Sequence, residues 1–457
     1  MDRASTGVAA TGSLPNPVKP HVNRIGILAG GGRLPLMIAE SVLERGGAVH
    51  IVAIDGEADA AIAPFPHTWV NWGQVGRMVA VLRSEGGGEM VIAGSVRRPD
   101  LWKLRPDWGF FQSLPQILDM MAGGDDSVLS RVVRFFEAKG FDVRGAHEVA
   151  PDLLADAGQL GAAAFSGRAR ADAELGFAVR AALGPLDAGQ AVVVADGKVM
   201  AIEGAEGTDA MLRRVAGMRS RAGSDGPRSG VLAKGPKPGQ ELRVDMPAIG
   251  PRTAELAAAA GLAGIAAEAG AVLLLDRSET IRAADAAGIA IEGLPQAAVA
   301  PAQLATSVRT ASRVAAKPIY TRLRPSRRDF ADIKKGLEAI ERLSAFDTGH
   351  AVVVTRAYIL AIAAGETTLA MLDRTRALRQ WGIGAKRRRG VLVCRAGKQE
   401  GEAEFDALIN QAAAQGLAGL AVGPSSVFWS AEHARLADRH GVFLADWSHR
   451  RQTRAGR

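Results

Sequence analysis

The sequence predicts an α/β protein: a parallel-sheet domain at the N-terminus, a second α/β domain, and a degenerate repeat of that second domain. Three observations carry this expectation. The first block alternates short apolar runs with segments of helical spacing. The segment "AIEGAEGTDAML" (201–212) returns as "AIAAGETTLAML" (361–372). The length, 457 residues, suits three domains at roughly 150 residues each.

Residues 1–23 are rich in Pro, Gly, Ser, Thr and Ala and lack an apolar core, so they read as a disordered tail rather than a signal peptide. The first domain is placed at 24–150. "IGILA" is a short strand, Gly30, Gly31 and Gly32 turn the chain, and Pro35 suits the first turn of a helix. "AVHIVAI" is a second strand, "VGRMVAVLRSEG" a helix and "EMVIAGSV" a third strand. The glycine turn has two readings: N–H groups ahead of a helix suit a phosphate, while a plain strand-to-helix turn needs no ligand. A nicotinamide-dinucleotide reading lacks its fingerprint, because "GILAGGGRLP" does not match G-x-G-x-x-G, although Asp55 follows the second strand.

The second domain is placed at 155–296. "QAVVVADGKVMAIEG" is a hairpin turning at Asp196–Gly197, a helix follows from Thr208, "SGVLAKG" is a strand and 251–260 a helix. "GIAAEAGAVLLL" gives two short strands or a strand and a turn, and "IAIEGL" closes the domain. The apolar run 257–275 is long enough to span a membrane, but Glu268 and several glycines interrupt it. From Asp187 to Leu212 every position maps onto Asp347 to Leu372 with an offset of 160, and "GLAG" recurs at 416–419 with an offset of 155. The repeat is placed at 346–447, preceded by a linker over 297–345 with a helix at 330–344 and followed by a basic tail at 448–457. Two copies of such length make a repeated domain rather than a solenoid.

A single cysteine, Cys394, excludes an intrachain disulfide and suits a reducing cytoplasm. The net charge is +8, with Lys and Arg gathered in "RLRPSRRD" and "KRRR". These clusters read as solvated loops or as contacts to anionic lipid headgroups. No nucleic-acid motif accompanies them, so nucleic acid is not an expected partner.

The two copies differ in what they keep. The second retains the apolar frame, with Glu206 as Glu366 and Thr208 as Thr368, but loses Glu203, Asp209, Lys234, Pro247, Glu268 and Gly270; Asp245 falls in a deleted stretch. The first copy is therefore the expected working domain and the second a scaffold, packed against the first or serving a homodimer contact. Carboxylates that bind a divalent cation, lysines and a helix start together suit a phosphate ester. Each also has a plainer reading. Asp209 favours the positive end of a helix, Lys237 and Arg243 read as loop charges, and Asp125 and Asp126 as acids capping a helix.

The blocks "ILAGGGRLP", "AGSVRRPDLWKLRPD", "GGDDSVLSRVVRFFEAKGF", "GAHEVAPDLL", "IEGAEGTDAMLRR", "KPGQELRVDMPAIGPRT" and "GIAAEAG" together resemble the metal-dependent UDP-2,3-diacylglucosamine pyrophosphatases of lipid A biosynthesis, the LpxI type. The resemblance covers about residues 24–295 in order and spacing; the repeat lies outside the usual two-domain plan. It implies a Rossmann-like N-terminal domain and an α/β catalytic domain, with the lipid-bearing ligand held between them. It implies hydrolysis of UDP-2,3-diacylglucosamine to UMP and 2,3-diacylglucosamine 1-phosphate by attack of water on the α-phosphorus, with Mg²⁺ or Mn²⁺. It also implies cytoplasmic placement against the inner-leaflet membrane surface, where the lipid product stays. Carried over residue by residue, catalytic roles fall to Asp245, Lys234 and Glu268, and metal contacts to Asp245 and Glu241. Substrate contacts fall to Gly31, Gly32, Leu34, Pro35, Asp125, Asp126, Thr208, Asp209, Lys237, Gln240 and Arg243. Glu241 departs from the aspartate usual after "KPGQ", which lengthens that carboxylate's reach. Alongside the hydrolase stands a second reading, a non-catalytic protein that binds sugar nucleotide or lipid.

Overall fold

The computed structural model describes residues 24–96, 105–121, 125–223, 226–295, 315–317, 321–378, 388–395, 402–423 and 429–448. The tail expected at 1–23 and all but the first residue of the basic tail at 448–457 lie outside them.

The first domain is a five-stranded parallel sheet. Its strands are β1 (Ile25–Ala29), β2 (Val49–Ile54), β3 (His67–Val70), β4 (Glu89–Ala93) and β5 (Asp142–Arg144), in the order β3-β2-β1-β4-β5. β1 is buried along its whole length because helices cover both faces, which is why it reads as a continuous apolar run. The central position of β1 and the reversal of strand order beside it are the Rossmann-like arrangement. β3, an edge strand that follows Pro64 and Pro66, is an element the sequence reading passed over.

The second domain is a six-stranded sheet. It contains β6 (Gly158–Gln159), β7 (Ala191–Ala195), β8 (Lys198–Ile202), β9 (Val231–Lys234), β11 (Gly264–Glu268) and β13 (Ala290–Leu294), in the order β6-β13-β11-β9-β7-β8. A small parallel pair, β10 (Ala248–Ile249) and β12 (Leu273–Leu274), stands beside it. β7 and β8 form the expected hairpin; Asp196 and Gly197 both have positive φ, as its turn requires. Helix Gly167–Leu183 lies directly on the sheet because Gly176 has no side chain: a Cβ there would stand 2.6 Å from that of Ala233.

The third domain repeats this plan. β14 (Ala315–Lys317), β15 (Ala351–Thr355), β16 (Tyr358–Ala363), β17 (Val391–Cys394), β18 (Gly419–Val422) and β19 (Phe443–Ser448) take the order β14-β19-β18-β17-β15-β16, matching the second sheet strand for strand. One expectation is corrected. The helix assigned to a linker spans Arg327–Leu343, 160 residues beyond Gly167–Leu183, and packs on β15 and β17. It is the first helix of the repeat, so the repeat does not begin at 346. Asp172 accepts N–H bonds from Asp196 and Gly197, and Asp332 accepts them from Arg356 and Ala357, so these two acids hold hairpin turns.

The second and third domains share one hydrophobic core. Val179, Leu183, Val192 and Ile202 belong to the same buried cluster as Ile333, Leu337, Val352 and Ile362. Of the two roles expected for the repeat, packing against the first copy is the one seen. At about 25 cal/mol per Å² of apolar surface, this shared core binds the copies together. The first and second domains meet through the chain from Val244 to Ala248: Val244 packs on one apolar cluster of the first domain, and Met246 and Ala248 on another. Arg33 reaches Asp276 at 2.8 Å across the same boundary. No helix among the described residues is long and apolar enough to cross a membrane.

Candidate active site

The candidate catalytic groups gather at the carboxyl ends of the parallel strands in the second domain, where open α/β sheets favour ligand sites. β9 ends on Lys234 and β11 on Glu268. β8 leads into Glu203, and helix Gly207–Arg221 begins beside Thr208. Lys234 Nζ donates to Thr208 Oγ1 at 2.9 Å, and that hydroxyl donates to Glu203 Oε2 at 3.1 Å. All three residues are buried. Burial pulls the Lys234 amine below its ordinary value, against the fields of Glu203, Asp209 and Asp245. Burial pushes the Glu203 carboxyl up, against Lys234 and the Thr208 hydroxyl. Each partner therefore holds the other's charge in a place where an isolated charge would be costly.

A second buried pair flanks the first. Arg180, on helix Gly167–Leu183, stands 3.6 Å from Glu268 and donates to the carbonyls of Gln190 (3.0 Å) and Pro236 (2.7 Å). Burial lowers this guanidinium to about 10, with Glu268 opposing. Gly235 makes room for the pair, since a Cβ there would stand 2.6 Å from Glu268 Oε2.

The loop after β9 is ordered by its own polar groups. Lys237 N–H donates to Gln240 Oε1 (2.9 Å), and Gln240 Nε2 donates to Asp245 Oδ2 (2.6 Å). Lys237 Nζ meets Asp187 at 2.9 Å. Glu241 and Arg243 have a different task. Arg243 grips Glu241 through Nε and Nη2 at 2.8 Å each, and reaches Glu137 of the first domain at 2.7 Å. That contact holds the Glu241 carboxyl below its usual range and raises the guanidinium. The pair fastens the loop to the first domain.

The expected metal contacts, Asp245 and Glu241, do not converge. Glu241 is occupied by Arg243 and Asp245 by Gln240, and no three His, Cys, Asp or Glu side chains gather for a cation among the described residues. As arranged, these donors do not fit a metal.

The remaining expected contacts are spread out. Asp209 pairs with Arg252 at 2.6 Å and Arg213 at 3.7 Å at the start of its helix. Gly31 N–H donates to the Ser95 carbonyl at 2.7 Å, so this amide serves the backbone; Gly32, exposed, turns the chain with φ 89°. Pro35 is buried in the first turn of helix Leu34–Glu44, and Leu34 packs against the same core. Asp125 and Asp126 begin helix Asp125–Ala138, and their side chains lie outside the described residues. A cavity of ≈ 140 Å³ opens beside Glu203 and Lys237; its far wall, Tyr358 and Ile359, comes from the third domain.

Arg180 is the buried site residue that sequence reasoning missed. The signal was available: the offset of 160, extended upstream of Asp187, sets Arg180 against Ile340. The same offset sets Glu203 against Ala363, Asp209 against Leu369 and Lys234 against Cys394, and the offset of 155 sets Glu268 against Gly423. The charged members of the network are present together in one copy and replaced together in the other, while Thr208 is kept as Thr368, as expected when each buried charge depends on the rest.

Sequence models of two domains match the chain. The LpxI N-terminal domain matches residues 24–153. The LpxI C-terminal domain matches twice, at 156–292 and 316–445. A curated relative, UDP-2,3-diacylglucosamine pyrophosphatase LpxI of Caulobacter vibrioides, is 42% identical over 277 residues, covering 60% of this chain and 98% of the relative.

Proposed function

The chain belongs to the LpxI family, and on that premise we propose that it hydrolyses the pyrophosphate bond of UDP-2,3-diacylglucosamine to UMP and 2,3-diacylglucosamine 1-phosphate. The observation that carries this reading is the buried Lys234–Thr208–Glu203 relay within the field of Asp245, whose lysine and glutamate the other copy lacks. In this reading water attacks the α-phosphorus. The new O–P bond forms as the bridging P–O bond breaks, and 2,3-diacylglucosamine 1-phosphate leaves. Asp245, oriented by Gln240, takes the proton from the water. Lys234 and Lys237 supply positive charge to the phosphoryl oxygens as negative charge builds there. Arg180 and Glu268 hold the loop that carries Lys237 through the bond to the Pro236 carbonyl.

Asp245→Asn is expected to cut UMP release at least about 100-fold while leaving the fold intact, read by product chromatography and circular dichroism. Full activity in that variant would remove Asp245 from the reaction. Assays with Mg²⁺, with Mn²⁺ and with chelator decide the metal requirement. If well-folded protein releases no UMP under any of these conditions, the reading fails and a binding role replaces it.

The pH profile gives a second test. Lys234 loses its proton below the ordinary lysine value of 10.5, so turnover is expected to fall on an alkaline limb below that point. Over this window the unfolded chain holds that proton more tightly than the folded one, so this group makes the fold more stable, not less, as pH rises. The limb is therefore loss of charge rather than unfolding. Lys234→Arg should move it upward, because a guanidinium stays protonated.

The inner leaflet is the proposed place of action. Trp108 and Phe111 are exposed on helix Trp108–Gln112, and the net charge of +8 suits an anionic surface.

A further inference from the structure

The cavity beside Glu203 is incomplete without the third domain. Asp187, Gln190, Glu203 and Lys237 form the walls on the catalytic side, and Tyr358 with Ile359 closes the other side. The docking that places Tyr358 there is built into both backbones. Ala205 N–H donates to the Leu360 carbonyl at 2.9 Å; 160 residues along each partner, Gly365 N–H donates to the Met200 carbonyl at 3.0 Å. Gly204 lies where a Cβ would collide with the Leu360 carbonyl. Arg374 reaches Glu206 at 3.1 Å, and Arg214 reaches Glu366 at 3.2 Å. The segment that carries Glu203 is thus bonded to the strand that carries Tyr358.

The interface repeats itself about a pseudo-two-fold axis, but the cavity wall does not. The position equivalent to Tyr358 in the second domain is Lys198, which is exposed. Symmetry of docking therefore does not account for a tyrosine at 358. The cavity, at ≈ 140 Å³, is well below the roughly 300–1,000 Å³ of a pocket for a whole drug-sized ligand. Its lining carries two carboxylates, an amide and one ammonium that Asp187 already pairs, a mixture that suits sugar hydroxyls rather than acyl chains. Tyrosine adds a ring face and a hydroxyl.

We infer that the third domain is a built-in partner that completes the binding cavity, with Tyr358 as a positioning residue for the polar sugar-nucleotide part of the substrate. This rests on the pyrophosphatase reading, and the test separates the two. The full chain and its Tyr358→Ala, Tyr358→Phe, Lys198→Ala and Gly365→Val variants are compared in UMP release and in UMP binding by calorimetry. Gly365→Val wedges the interface open from the third-domain side, since a Cβ there would stand 2.7 Å from the Met200 carbonyl.

Tyr358→Ala is expected to raise KM about tenfold with kcat within about twofold and only a modest fall in melting temperature, since Tyr358 also packs on the third domain's apolar core; that KM-against-kcat split is one a merely structural role would not give. Gly365→Val should reproduce the KM rise, Tyr358→Phe should fall between, and Lys198→Ala should match wild type. Unchanged KM and UMP affinity in folded Tyr358→Ala would overturn the proposal. Wild-type protein without turnover, but with UMP affinity weakened by Tyr358→Ala, would keep the cavity and end the hydrolase reading. Wild-type protein with neither turnover nor UMP binding would overturn both.

Discussion

Replacing Lys234 by methionine should lower kcat by about 10³-fold and the unfolding free energy by about 3 kcal/mol. The two losses have different origins. Turnover falls because the charge opposite the phosphoryl oxygens is gone. Stability falls because Glu203 keeps its buried place with the Thr208 hydroxyl but without the ammonium that offsets its charge. Glu203 should then hold its proton well above its ordinary range. The folded state binds that proton more tightly than the unfolded one, so the variant's stability should drop as pH rises through the shifted value. Denaturant unfolding at several pH values reads this directly. The third domain supplies the companion experiment. A chain carrying Arg180→Ile, Glu203→Ala, Lys234→Cys and Glu268→Gly copies the residues found there. It should recover stability lost in the single variant while releasing no UMP. A copied set less stable than Lys234→Met alone would show that the network is not a self-contained unit.

Glu366→Leu should be the most costly single change at the boundary between the copies, at about 3–5 kcal/mol. Arg214, Arg374, Glu206 and Glu366 form a closed ring of two cations and two anions. Glu206 meets Arg214 at 2.6 Å and Arg374 at 3.1 Å, while Glu366 meets Arg374 at 2.7 Å and Arg214 at 3.2 Å. Each arginine also donates to a strand-end carbonyl, Arg214 to Ile202 and Arg374 to Ile362. Both carboxylates are about 5% exposed, so removing one leaves two guanidinium groups facing a single anion with little water to screen them. Urea unfolding should then show the third domain releasing in a separate, earlier step. Arg214→Leu added to Glu366→Leu leaves the neutral Arg374–Glu206 pair, so the double variant should cost less than the sum of the singles. Additive losses would mean that the ring does not act as a ring.

Much of the fold was legible because each element carries its own pattern. β1 is a continuous apolar run, the Asp196–Gly197 turn marks its hairpin, and Pro35 marks a helix start. The repeat was legible because its apolar frame kept its spacing. Its beginning was not. Helix Arg327–Leu343 shares few residues with Gly167–Leu183, and what they share is a packing role: Gly336, like Gly176, lets its helix lie on the sheet. Part of the site was legible as well. Lys234 and Glu268, which differ between the copies in sequence, end neighbouring parallel strands of the candidate site. Arg180 was overlooked because helix Gly167–Leu183 was not read from the sequence, and nothing sets Arg180 apart from Arg168 and Arg170 until that helix is seen to be covered.

By itself the sequence determined what repeats, what differs between the copies and which residue types remain in the first. Local periodicity and turn chemistry record these, and they need no knowledge of neighbours. Only the tertiary structure decided which charges are partners. It joined Lys234 to Glu203 through Thr208, gave Glu241 to Arg243, and set Tyr358 against a cavity whose other side comes from the second domain. A buried charge depends on the groups that surround it, and those groups arrive from distant strands only when the sheets stack and exclude water.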